Sequence, residues 1–240
     1  MAIVTALNLG TGLTGIPAGA PPLGCFQCPV TSGLVGLYAL GDGAGVAAKN
    51  FAGTGDPTLV GSAIWLSGYA ELSLAGGYLE TNIAETAAMT FLAVYKRKVT
   101  ATNIGVIGNY LSGTSVGCSL YAQSTDAYIR ANTDRGATSS STSLVANVDA
   151  WVLASLNSPA TGAFTLSNHT AGTSGQSSSV LDRVVESAGT IKVGAFTSTG
   201  WAAVTQMALG VVYNRSLTAL ELASVAAWAR SLVSVYGITV

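Results

Sequence analysis

The sequence predicts an all-β sandwich of two antiparallel sheets with one C-terminal helix. Short apolar runs recur between glycine-containing breaks from Gly33 to Tyr213, the pattern of a sandwich built from many short strands. The run at 89–96 is the strongest strand, with Phe91, Ala93 and Tyr95 on one face at period two. Thr218-Ala219-Leu220-Glu221 has the form of a capping box, in which a threonine hydroxyl and a glutamate pair with otherwise unpaired amides.

Residues 1–32 read as an extended N-terminal arm. Pro17, Pro21 and Pro22 alternate with glycines and small residues, a composition that breaks regular structure. Ile3, Val4, Leu7, Leu9, Leu13 and Ile16 predict that the arm docks on a partner, because a solvated tail gains nothing from such side chains. The arm has no basic region at its start and is interrupted by Gly10, Gly12 and Gly15, so it makes a poor secretory signal.

The sandwich is expected over 33–240. It opens with a strand at 34–40, closed by Gly41-Asp42-Gly43. Further strands are expected at 62–66, 70–74, 78–81, 103–108, 117–122, 127–132, 150–156, 162–168, 191–196 and 206–213. Segments 133–143 and 171–179 are rich in serine, threonine and glycine and read as loops or polar strands. The helix spans 218–236, with Gly237 as terminator. Leu222, Val225, Ala226, Ala229, Leu232, Val233 and Tyr236 share one face, which must pack on the sandwich or on a neighbouring copy.

Charged residues make up 9% of the 240 and apolar residues 49%, against the roughly one quarter charged of ordinary domains. Surfaces this poor in charge resemble obligate interfaces, so a homo-oligomer is expected. The net charge of −1 argues against a nucleic-acid partner. Lys96-Arg97-Lys98, the one dense basic cluster, reads as a solvated strand end. The apolar runs are short and broken by glycine, so no membrane insertion is expected.

Cys25, Cys28 and Cys118 are an odd, widely spaced set and do not describe a disulfide framework. The Cys25–Cys28 CxxC lacks the βαβ context of a redox motif. A structural zinc needs four ligands, and the chain would have to recruit His169 to reach that number. Loop or buried thiols are expected, with a strained local Cys25–Cys28 disulfide as the alternative. No metal and no cofactor are expected.

Catalytic constellations are not evident. Glu80 and Glu85 have opposite strand parity, and Asp182 and Glu186 lie beside Arg183 in what reads as a solvated loop. Neither pair aims two carboxylates at one sugar. His169 has no neighbouring aspartate and no nucleophile elbow and reads as a surface histidine. Asp42, Asn50 and Asp56 form a faint oxygen-ligand cluster, read as turn chemistry. Gly41 to Gly45 is glycine-rich but is not followed by the lysine of a phosphate loop. The chain is therefore not expected to be an enzyme.

Several motifs, in order, resemble concanavalin A-like, laminin-G-like jelly-roll domains. They are Leu34-Val35-Gly36-Leu37-Tyr38-Ala39-Leu40-Gly41-Asp42-Gly43, Asn50-Phe51-Ala52-Gly53-Thr54-Gly55, Gly77-Tyr78-Leu79-Glu80-Thr81, the strand from Met89 to Tyr95, and Asp149-Ala150-Trp151-Val152-Leu153-Ala154. They end with Ile191-Lys192-Val193-Gly194-Ala195, Trp201, and Tyr213-Asn214-Arg215-Ser216-Leu217-Thr218 leading to the helix. The resemblance implies two curved antiparallel sheets plus a C-terminal helix. It is of the kind found in tailed-bacteriophage virion proteins.

On that resemblance the chain is expected to be a non-enzymatic virion structural protein, a tail-fibre or baseplate-type adhesin made in the host cytoplasm. Its arm would attach to other virion proteins, its copies would associate, plausibly as a trimer by analogy with phage appendages, and its sandwich would bind host surface glycan. The alternatives are a capsid decoration (cement) protein and a free bacterial carbohydrate-binding module. A glycoside hydrolase ranks last. Tyr110, Tyr121, Tyr128 and Trp201, near expected loops, are the candidate glycan-stacking residues, with core packing as the competing role for each.

Overall fold

The computed structural model describes residues 27–240 except 42, 44–48, 99–101, 112–116, 124–126 and 188. Most of the expected arm, with Cys25, lies outside the described residues. Of its last six positions, Cys28 is buried and Val30 packs beside it against sheet A.

The chain is a jelly-roll β-sandwich of two antiparallel sheets with one C-terminal helix among the described residues. Sheet A runs in the order β13 (Thr173–Gln176), β12 (Thr165–Asn168), β11 (Val152–Ser158), β6 (Met89–Arg97), β15 (Thr205–Tyr213), β4 (Tyr69–Leu72) and β3 (Ile64–Leu66), with β1 (Leu34–Ala39) also paired to β15. Sheet B runs β10 (Thr138–Val145), β9 (Tyr128–Arg135), β8 (Cys118–Ala122), β7 (Ile104–Gly108), β14 (Thr190–Val193), β5 (Gly77–Ala84) and β2 (Thr58–Gly61).

Side-chain alternation shows which sheet is covered on both faces. In β6, Phe91, Ala93 and Tyr95 enter the core between the sheets, while Leu92 and Val94 turn to the opposite face of sheet A. Both sets are fully buried. The second set meets Leu222, Val225, Ala226, Ala229, Leu232 and Val233 of helix α1 (Ala219–Ser234). The apolar stripe of the helix therefore packs on the sandwich. In sheet B the alternation survives. Ile129 and Ala131 of β9 point inward, while Tyr128, Arg130, Asn132 and Asp134 reach partial or full exposure outside. Such alternation marks a sheet with one solvated face.

Helix α1 starts as expected. The Thr218 hydroxyl accepts from the Glu221 amide at 3.2 Å, and the Glu221 carboxylate accepts from the Thr218 amide at 2.9 Å. The expected strands form with boundary shifts of a few residues. The 133–143 segment becomes the end of β9 and most of β10, and 171–179 contains β13. β2 lies outside every strand expected from the sequence.

Four local expectations are corrected. Arg97 is not solvated but 7% exposed, held by the Asp149 carboxylate at 2.9 Å and by the Gln123 carbonyl. The loop around Arg183 is exposed as expected, but the Arg183 side chain is not: it is fully shielded and ion-paired to Glu85. His169 is half-buried rather than a surface group, with Nε2 2.8 Å from the Ser155 hydroxyl. Glu80 and Glu85 come to the rim of one cavity despite their parity. Asn82, at φ 58°, lies between them, and β5 advances from Glu80 to Ala84 while β14 advances only from Lys192 to Thr190. A bulge of this kind re-aims the side chains that follow it.

Candidate functional site

Among the described residues the only α-helix covers sheet A, so the outer face of sheet B is the face without a helix. Strand register places one row of residues across all its strands. Thr58 faces Glu80, Glu80 faces Lys192, Lys192 faces Gly108, Gly108 faces Ser119, Ser119 faces Asn132, and Asn132 faces Ser141. No member of this row carries an apolar side chain larger than glycine; Thr58 and Ser141 at its ends are exposed, Glu80 and Asn132 half-buried, and Lys192, Gly108 and Ser119 in its middle buried. A parallel row pairs Gly105, Tyr121, Arg130 and Ser143.

Beside these rows stands an aromatic cluster of Tyr110, Tyr121, Phe196 and Trp201. Trp201, on a single 3-10 turn at Thr199–Trp201, meets the Tyr121 ring edge-on at a centroid distance of 4.7 Å, Tyr110 at 5.2 Å and Phe196 at 5.4 Å. These separations are those of favourable aromatic pairs. Gly105 is required for this approach, since a Cβ there would lie 2.9 Å from both Phe196 Cγ and Phe196 N. The Tyr121 hydroxyl donates to Asn132 Oδ1 at 3.0 Å and so ties the cluster to the polar row.

The structure brings three of the four candidate aromatics together. Their exposure differs from what stacking on a ligand would need of all of them. Tyr121 and Trp201 are 5% and 8% exposed, so they buttress the cluster more than they face solvent. Tyr110 is half-buried at its outer side. Tyr128 stands apart on β9, 37% exposed, with the Arg130 guanidinium 5.5 Å from its ring centroid. Phe196 was missed, because the sequence placed it at a strand end with no sign of the two tyrosines that flank Trp201.

On the other side of the Asn109–Leu111 segment the same face holds a cavity of about 460 Å³, lined by Glu80, Glu85, Glu186, Lys192, Thr190 and Val185 among others. Its carboxylates are engaged. Glu85 pairs with Arg183 and accepts from the Asn109 amide and, at 3.2 Å, from the Glu186 backbone N–H. Burial lowers the Arg183 guanidinium to about 10, which leaves it charged at neutral pH. Glu80 is 3.1 Å from the Lys192 ammonium and accepts from the Thr190 hydroxyl.

A smaller cavity of about 340 Å³ lies between helix α1 and β12–β13, lined by Asn168, His169 and Arg230 among others. Burial, reinforced by the Arg230 charge, lowers His169 to about 4. Among the described residues no aspartate is paired with His169, and Ser155 is fully buried beneath the helix layer.

The weak oxygen cluster is accounted for by turn chemistry as far as it is described. Asn50 donates to the Val35 carbonyl and accepts from the amides of Leu37 and Ala52, while Asp56 accepts from the Asn50 amide and pairs with Lys49. Asp42 lies outside the described residues. Among the described residues no group of three or more histidine, cysteine or acidic side chains is placed to hold a metal ion. Cys28 and Cys118 are buried free thiols, and no described helix is long and apolar enough to cross a membrane.

No family model matches the chain, and no curated protein matches it. Solved structures do. The binding domain of botulinum neurotoxin serotype D aligns with a TM-score of 0.60 at 11% identity, over 82% of this chain and 51% of that one. A Trypanosoma rangeli sialidase in complex with sialic acid aligns with a TM-score of 0.61 at 16% identity, over 86% of this chain and 34% of that one. The same sialidase with a difluorinated nononic acid aligns with a TM-score of 0.63 at 15% identity. This chain spans about half the length of the toxin domain and a third of the sialidase. At these identities the likeness is one of fold.

Proposed function

We propose that the chain is a non-enzymatic adhesion module that binds glycan on the outer face of sheet B. The observation that carries this reading is the partly to fully exposed polar face at Asn132, Ser141 and Ser143, with exposed Tyr128 and half-buried Tyr110 on the side that no described helix covers. Hydroxyl and amide groups next to aromatic rings suit a sugar, whose edges are polar and whose faces are apolar. Two of the solved structures similar in fold are a toxin binding domain and a sialidase holding sialic acid, which supports a glycan as the ligand class. The ion pairs that engage Glu80 and Glu85 support binding over hydrolysis.

The setting in this reading is the virion of a tailed bacteriophage, in a tail fibre or baseplate, with residues 1–32 attached to other virion proteins and copies of the chain associated with one another. The support is compositional: 9% charged residues, and none among the first 26. Capsid decoration is the second reading, favoured by the same paucity of charge.

A glycan array with the full chain tests the ligand. Selective binding that falls about tenfold in Tyr110→Ala and in Tyr128→Ala is expected. An array without signal overturns it. Immunogold labelling of particles tests the setting, where gold confined to the head replaces the adhesin with the cement protein.

A further inference from the structure

The cavity at Glu80 and Lys192 has a donor–acceptor arrangement that the aromatic end of the face lacks. Both groups are held. Glu80 and Lys192 face one another in register across β5 and β14, with their side chains 23% and 7% exposed and 3.1 Å apart. The Lys192 ammonium also lies 3.5 Å from the Thr190 carbonyl, and the Thr190 hydroxyl donates to Glu80. Glu85, ion-paired to Arg183, lines the same cavity. Val185, 39% exposed, supplies an apolar side, and Ser187 a further hydroxyl.

We propose that this cavity is a second glycan subsite that reads the vicinal hydroxyls of a neutral sugar. This rests on the glycan-binding reading above and deepens it. A carboxylate only accepts hydrogen bonds and an ammonium only donates them, whereas each hydroxyl of a vicinal pair does both. One hydroxyl can therefore donate to Glu80 while accepting from Lys192, and its neighbour can complete the set with Thr190 or Ser187. The charges of Glu80 and Lys192 cancel, as do those of Glu85 and Arg183. Lys192 is the one cationic residue among the described lining and is already matched by Glu80, so the cavity offers no spare cation to an anionic sugar, and the apolar flank of Val185 suits the C–H face of a neutral ring.

The test is amide-resolved NMR of the full chain titrated with methyl mannoside, methyl galactoside, their 3-deoxy forms, which keep no two adjacent hydroxyls, and sialyllactose. Neutral glycosides are expected to shift the Ser187, Gly189 and Thr190 amides. Removal of a vicinal hydroxyl, or the paired substitution Glu80→Gln with Lys192→Met, is expected to weaken this response at least tenfold while leaving shifts at Tyr110 and Trp201 in place. The paired substitution avoids stranding one buried charge, and the 3-deoxy comparison uses the unaltered protein, so a folding defect cannot hide the answer. A response at Tyr110 and Trp201 with silence at Thr190 overturns the subsite and spares the glycan-binding reading. A stronger response to sialyllactose than to the neutral glycosides overturns the neutral-sugar assignment. Silence at both ends overturns both proposals.

Discussion

Glu85 and Arg183, ninety-eight positions apart in the chain, form an ion pair from which solvent is fully excluded. Glu85 follows β5 and Arg183 lies in the segment that returns to β14, so the pair closes one end of sheet B. Its geometry makes removal of a single partner costly. Glu85→Gln leaves a charged guanidinium in a buried site and is expected to destabilise the fold by about 3–5 kcal/mol. The double substitution Glu85→Leu with Arg183→Leu is expected to cost less than either single change. Urea denaturation of Glu85→Gln, Arg183→Leu and the double variant checks this, and a smaller loss for either single variant than for the double would refute it.

Tyr95 offers the opposite case. Its hydroxyl is fully buried and has no hydrogen-bond partner among the described residues, and burial pushes its ionisation upward. Tyr95→Phe removes an unsatisfied polar atom and keeps the ring. Stability is expected to stay level or rise by about 1 kcal/mol, read as a shift in the denaturation midpoint at constant slope. A clear loss would mean that the hydroxyl has a partner.

His169 predicts a pH dependence. Its folded value is about 4 against an ordinary 6.5, set by burial and by Arg230. Above pH 6.5 the ring is neutral folded or unfolded and contributes nothing to the slope. As pH falls from 6.5 to about 4 the unfolded chain takes up a proton that the folded chain refuses, so stability drops; below 4 the effect is complete. The ring keeps some solvent contact, so the loss is on the order of 2 kcal/mol. His169→Asn is expected to flatten the curve over this window. An unchanged slope in that variant would place the dependence elsewhere.

The capping box gives a local test. Thr218→Ala removes the acceptor of the Glu221 amide and is expected to cost about 1 kcal/mol. Because α1 packs on β6 and β15, the loss should appear in global unfolding. Fraying confined to the helix start, with global stability untouched, would contradict that coupling.

The elements legible in the sequence were those with one dominant local signal. β6 and β15 are long apolar runs, and α1 carries its own cap, stripe and terminator, the last being Gly237 at φ +73°. β10 was ambiguous because six of its eight residues are serine or threonine, and its pairing with β9 supplies what its side chains do not announce. The fates of Arg97, Arg183 and His169 were illegible for a shared reason. A polar residue signals exposure by type, while its burial depends on a partner brought from far along the chain, as Asp149, Glu85 and Arg230 are. The convergence of Glu80 and Glu85 was hidden by Asn82, since strand parity counts residues and a bulge changes the count. The aromatic trio was half legible: the sequence supplied its members, but not that two of them are enclosed.

The helix lies on one side of the sandwich only, and this divides the molecule by what a substitution there would do. Behind α1 every exchange meets packed neighbours and is answered in folding. Along the exterior of β10 an exchange at exposed Ser141 or Ser143 meets little besides its own row. The scaffold can thus hold its shape while that exterior is rewritten, which makes it a surface whose target can drift without the body having to follow.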